Sequence, residues 1–138
     1  MHGYGERLPF DHHEMIGAIA PRAVIITAAV EDYANNAEGD SIGLEGARPV
    51  YKFLGAEQNL ALNLRMKSEG NAVMGAHFVD DTQIQNLVAF ANKVFYGTPL
   101  PEEVKSVLYT NPYLKTYDTY YSGLNAMMPW AKLAPISQ

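Results

Sequence analysis

Two side chains in this sequence have the types and placement that a proton relay needs. Asp32 follows an apolar run at residues 23–29, and His77 follows a second, alternating run, in a loop that also carries Gly75. A neutral imidazole takes a proton from a hydroxyl nucleophile, and a carboxylate fixes its tautomer and stabilises the imidazolium that forms. Glu31 competes with Asp32 for the acid role. By spacing alone, the same residues also read as a turn aspartate and a loop histidine. The nucleophile is not recognisable: the serines are Ser41, Ser68, Ser106, Ser122 and Ser137. None of them sits in Gly-x-Ser-x-Gly at a strand-to-helix elbow. In the order Ser, Asp, His, a nucleophile would stand upstream of Met1.

Other constellations carry less. His12 and His13 are adjacent, so on a helix their side chains point about 100° apart and fit no zinc spacing. They read as first-turn helix residues near Arg22. The acidic loop at 31–40 is interrupted at Ala34, which breaks the alternating oxygen ligands of a calcium loop. Gly3-Tyr4-Gly5 lacks a preceding strand and a third glycine, so it is not a phosphate cradle. The tyrosines of the tail (Tyr113, Tyr117, Tyr120 and Tyr121) read as packing residues rather than sugar platforms.

The elements that must position Asp32 and His77 follow from periodicity. Asp11 and Glu14 make a capping box, with Phe10 and Met15 at the staple positions, so a helix starts there and ends near Ala20, before Pro21. Residues 23–29 are a continuous β-branched and apolar run, the pattern of a strand buried on both faces. A second helix is expected from about Ser41, with Ala47, Val50, Tyr51 and Leu54 on one face and Gly55 as its stop. Pro49 inside it implies a kink or a later start. A second strand alternates Leu60, Leu62, Leu64 and Met66 against Ala61, Asn63 and Arg65. A third helix carries Ile84, Leu87, Val88, Ala91, Val94 and Phe95 as its apolar stripe, capped by Asp80 or Asp81 and ended at Gly97. Pro101, Glu102 and Glu103 open a short last helix before a tyrosine-rich tail.

The order helix, strand, helix, strand, helix is that of an α/β fold with parallel strands. In such sheets the functional crevice lies outside the carboxyl ends of the strands, where both Asp32 and His77 fall. A carboxylate after one strand, a helix, a strand and then a loop histidine is the chain order of the α/β-hydrolases. Two strands are few for an open parallel sheet, so residues 1–97 read as the C-terminal portion of a larger α/β domain. Residues 98–138 read as a helical and irregular extension packed on it.

Composition bounds the function. The chain has 138 residues, no cysteine, and 10 Lys+Arg against 15 Asp+Glu, for a net charge of −5. The absence of cysteine excludes disulfides, thiolate-held zinc and thiol catalysis. The acidic balance argues against nucleic-acid and anionic-membrane partners. Residues 1–7 do not read as a signal peptide, because Glu6 and Arg7 precede any apolar stretch.

The blocks Leu8-Pro9-Phe10-Asp11-His12-His13-Glu14-Met15, Ile19-Ala20-Pro21-Arg22-Ala23-Val24, Glu31-Asp32-Tyr33 and the run from Ala47 to Gly55 resemble the C-terminal half of the glucuronoyl esterases. These are the 4-O-methyl-glucuronoyl methylesterases, carbohydrate esterase family 15. The resemblance covers residues 8–97 and implies an α/β-hydrolase fold with a Ser–His–acid triad, no metal and no cofactor. It implies cleavage of esters between lignin alcohols and 4-O-methyl-glucuronic acid on xylan, by secreted or periplasmic enzymes. His77 matches the family's catalytic histidine, with Ala76 where a second glycine is usual. Asp32 matches the acid that some members place after this strand; others use a glutamate from an earlier strand. Members commonly carry a substrate-contacting tryptophan one to three residues after that Asp, where Tyr33, Ala34 and Asn35 stand here. The serine motif, of Gly-Cys-Ser-Arg-x-Gly-Lys type, is absent.

The expectation is therefore the acid/base half of a serine esterase, inactive alone, needing an N-terminal half or associating with itself through an exposed sheet edge. Two alternatives are a fragment of another α/β-hydrolase (an acetyl xylan esterase or a peptidase) and a non-catalytic remnant that works as an association module.

Overall fold

The structure, a computed structural model, describes residues 9–32, 34–66 and 77–114. The first helix, α1, spans His12–Gly17 and opens on the expected capping box, Asp11 with Glu14. It stops short of Ala20 because its last turn tightens into three-residue bonds, Ile19 to Ile16 and Ala20 to Gly17. Phe10 and Met15 both remain exposed.

Strand β1, Val24–Ala29, pairs in parallel with β2, Leu60–Arg65, in a register that sets Val24 opposite Leu60 and Ala29 opposite Arg65. Between them runs α2, Ala37–Phe53. It begins four residues earlier than its apolar period implies, because the Asn36 side chain caps it by accepting from the Gly39 amide at 2.9 Å. Pro49 withholds one amide donor without ending the helix. After Gly97, in the left-handed region at φ +69, helix α3 (Asp81–Tyr96) gives way to α4 (Glu102–Leu108).

The sheet is covered on both faces. On one side Ile16 of α1 and Leu44, Ala47 and Tyr51 of α2 pack against Leu60, Leu62 and Leu64. The Tyr51 hydroxyl donates to the Arg22 carbonyl at 2.9 Å, which satisfies its only polar atom inside that core. On the other side Ala61 meets Phe90 of α3 and Leu108 of α4. Beyond α4 the chain reaches back to α2, where the Asn111 amide donates to the Ser41 carbonyl and the Glu45 carboxylate.

Three expectations are corrected here. Strand β1 is only half-buried over its first four residues, since among the described residues β2 is its one paired neighbour. All six residues of β2 are buried, so its polar members Asn63 and Arg65 face packed surroundings rather than water. Most important, α3 lies with its apolar stripe outward. Ile84, Leu87, Val88, Val94 and Phe95 are exposed, Phe95 by 76%, while Gln83, Asn86 and Phe90 face inward. The sheet face beneath α3 explains this: it is apolar at Ala61, which Phe90 covers, but polar at Asn63 and Arg65, which bond to Gln83 and Asn86.

Candidate active site

Asp32 sits in a tight turn immediately after β1. Its amide donates to the Ala29 carbonyl at 3.2 Å, and its carbonyl accepts from Asn35 at 3.0 Å. The Val30 amide donates to the Arg65 carbonyl at 2.9 Å, so the ladder between the strands runs one residue past β1 and braces the turn. Within it, Asp32 Oδ1 accepts from the Ala34 amide at 3.0 Å, which orients the carboxylate. The residue is buried, with 8% of its surface exposed.

The other carboxylate oxygen, Oδ2, lies 2.7 Å from Nδ1 of His77. An ionised carboxylate only accepts, so Nδ1 carries the proton and donates it, and in the neutral ring Nε2 keeps the lone pair. The His77 hydrogen bond is the main cause holding the Asp32 carboxyl below the usual aspartate value; burial pushes the other way, and the Ala34 amide and the charges of His77 and Arg65 add to the lowering. Asp32 is therefore a carboxylate at neutral pH. His77 itself is open, with 77% of its side chain exposed. It lines a cavity of about 180 Å³ together with Thr27, Ala29, Asp32, Asn35 and Val79, at the carboxyl end of β1.

The structure thus brings Asp32 and His77 together. Of the two acidic candidates, Asp32 accepts the imidazole hydrogen bond, and Glu31 is half-buried beside it. Tyr33 lies outside the described residues, as do Ser68, Ser122 and Ser137. The hydroxyls of Ser41 and Ser106 are occupied within their own helices, donating to the Ala37 and Glu103 carbonyls. His13 is buried, with Nδ1 3.6 Å from the carboxylate of Asp11, the residue that caps α1. Among the described residues no three His, Asp or Glu side chains converge where a metal ion would fit.

What reasoning from the residues missed is the support behind His77. Arg65 and Gln83 are both buried and hydrogen-bond to each other at 3.0 Å next to the His77 loop. One signal was available. Asp80 and Gln83 stand three apart ahead of an apolar run, which is a capping-box pattern that assigns the Gln83 side chain a bonded role at the helix start.

The comparisons with known proteins agree on one direction. The family described as "Glucuronyl esterase, fungi" matches residues 2–55. "Carbohydrate esterase MZ0003", from an unknown prokaryotic organism, is 40% identical over 50 residues, 36% of this chain and 12% of that protein. A carbohydrate esterase family 15 glucuronoyl esterase from Caldicellulosiruptor kristjansonii superposes with a TM-score of 0.63 and 32% identity, over 77% of this chain and 25% of that one. The fold is that of part of an α/β-hydrolase, and the matches are to carbohydrate esterases. Among these, the chain is similar to the glucuronoyl esterases in sequence over residues 2–55 and in fold. It spans about a quarter of the solved relative's length and about an eighth of the curated one's.

Proposed function

We propose that this chain supplies the acid and the base of a serine-type glucuronoyl esterase. The observation that carries the reading is the 2.7 Å bond between His77 Nδ1 and the buried Asp32 carboxylate, with the imidazole otherwise open to a cavity. In the reaction, His77 Nε2 takes the proton of a serine hydroxyl as its oxygen attacks the ester carbonyl. Asp32 holds the tautomer and balances the imidazolium charge. As the tetrahedral intermediate collapses, His77 returns the proton to the departing alcohol and leaves an acyl-serine, which water hydrolyses by the same relay. On this reading the serine precedes the acid and the base, in the chain order Ser, Asp, His.

The substrate is the ester between a lignin alcohol and 4-O-methyl-glucuronic acid on xylan, met in a secreted or periplasmic setting, with Tyr33 in place of the family's substrate-contacting tryptophan. The domain division follows the same reading: residues 1–97 as part of the hydrolase body, and 98–138 as an extension upon it. No helix among the described residues is long and apolar enough to cross a membrane.

The test is a graft of this chain into the matching part of the Caldicellulosiruptor esterase, assayed on a benzyl ester of methyl-glucuronic acid. Turnover that is lost in both His77→Ala and Asp32→Asn supports the reading; turnover unaffected by either refutes it. A second reading, an association module without catalysis, draws on the exposed apolar row of α3. It is favoured if the graft is inactive while the 138-residue chain alone self-associates.

A further inference from the structure

An imidazole that is mostly in solvent is not held by its own packing. His77 exposes 77% of its side chain, so one bond to Asp32 must persist against the free rotation of an exposed ring. That bond endures only if the backbone at 77 is fixed relative to the turn that carries Asp32. The structure contains a buried device that fixes it.

Arg65 closes β2, and from there its guanidinium reaches the residue after His77. Nη1 donates to the Phe78 carbonyl at 2.6 Å and to Gln83 Oε1 at 3.0 Å. The guanidinium plane also lies 4.2 Å from the centre of the Phe78 ring. Gln83 takes up the load from there. Its Nε2 donates to the Ala28 carbonyl at 2.9 Å and to the Asn63 carbonyl at 3.2 Å, one on each strand. Its backbone amide donates to Asp80 Oδ1 at 2.7 Å, and Asp80 lies 4.0 Å from Arg65. Both donors of one buried amide therefore hold the ends of β1 and β2, while its oxygen holds the arginine that grips Phe78. Ala28 stands four residues before Asp32, so the carboxylate turn and the histidine loop share a single anchor.

We propose that Arg65 and Gln83 are positioning residues that hold the His77 backbone in register with Asp32, so that an exposed imidazole keeps its bond to the carboxylate. This rests on the reading of Asp32 and His77 as the relay pair. Arginine suits position 65 because Nη1 donates to a carbonyl and an amide oxygen while the guanidinium plane stacks on a ring; lysine offers the donors and no plane. Its charge also favours the ionised form of Asp32.

The experiment uses the 138-residue chain, labelled with nitrogen-15, and follows the His77 Nδ1 proton by NMR through its exchange with water. Four variants are compared: Asp32→Asn, Arg65→Met, Arg65→Lys and Gln83→Glu, with unfolding of each followed by circular dichroism. The expected result is that Asp32→Asn abolishes the protected proton. Arg65→Met and Gln83→Glu should speed its exchange about tenfold or more, the scale of losing one charge-assisted hydrogen bond. Arg65→Lys should restore part of the protection. If Asp32→Asn leaves the proton unchanged, the pair itself fails and the proposal with it. If Asp32→Asn abolishes it while the folded Arg65 and Gln83 variants keep wild-type exchange and only melt earlier, the pair stands and the positioning role is overturned. Should Arg65→Met not fold, Arg65→Lys and Gln83→Glu decide by the same criterion.

Discussion

His77 Nδ1 and Asp32 Oδ2 meet at 2.7 Å across 45 positions of chain. The contact exists because β1 and β2 are adjacent and parallel, so that the loops leaving their carboxyl ends open on one edge. The carboxylate is buried and the imidazole exposed, which is the asymmetry a relay needs: an anion shielded from water beside a base that substrate can reach.

The first prediction is the titration of Asp32. Its carboxyl is held down chiefly by the His77 hydrogen bond while burial pushes it up. Carbon-13 NMR of the side chain should show it ionising below the ordinary aspartate value of about 3.9. His77→Ala should raise it. Because the folded value is the depressed one, the pair's contribution to stability is complete above the ordinary value and fades as the pH falls toward the folded one. An Asp32 that titrates at or above the ordinary value would contradict the geometry.

In the active graft, Asp32→Asn should lower turnover by about 10⁴, the scale of losing the correct imidazole tautomer. Glu31→Gln should change it by far less, since the His77 Nδ1 hydrogen bond is accepted by Asp32. Steady-state assays of the two variants side by side check this, and equal losses would move the acid role away from Asp32.

Orientation of α3 makes a prediction opposite to its sequence pattern. Leu87→Gln and Val88→Lys, on the outward stripe, should change the stability of the isolated chain by less than about 0.5 kcal/mol. Phe90→Ala, on the inward face, should cost about 3–5 kcal/mol. Urea denaturation of the three variants measures both. A large loss at Leu87 would mean that this stripe is covered in the chain as it exists.

Gly97 ends α3 at φ +69, and a methyl group added there would meet nothing within 4 Å. Gly97→Ala should therefore lose only the backbone cost of a left-handed residue, about 1–2 kcal/mol, with no packing change. Thermal unfolding gives the loss, and unchanged chemical shifts around Phe90 would show that it is purely local.

The local signals were legible in the residues themselves. Asp11 with Glu14 names a helix start, the pair Asp80 and Asp81 brackets another that the structure places at Asp80, and Gly97 names a helix stop, because caps act within one turn of chain. The order of elements and the parallel pairing followed from periodicity and connection length, as did the placing of Asp32 and His77 on a common edge. Tertiary structure alone decided which face of α3 turns inward and that Arg65 would lie in a buried strand. An apolar stripe predicts burial only when an apolar surface awaits it. Here the surface beneath carries Asn63 and Arg65, whose buried polar groups require partners, and Gln83 and Asn86 provide them. Leaving such groups unpaired costs about 1–3 kcal/mol each, comparable to what a half-covered leucine gains by burial, so the polar face goes in and the stripe stays out. No pattern within a single helix contains that comparison, because half of it is written on the strand beneath.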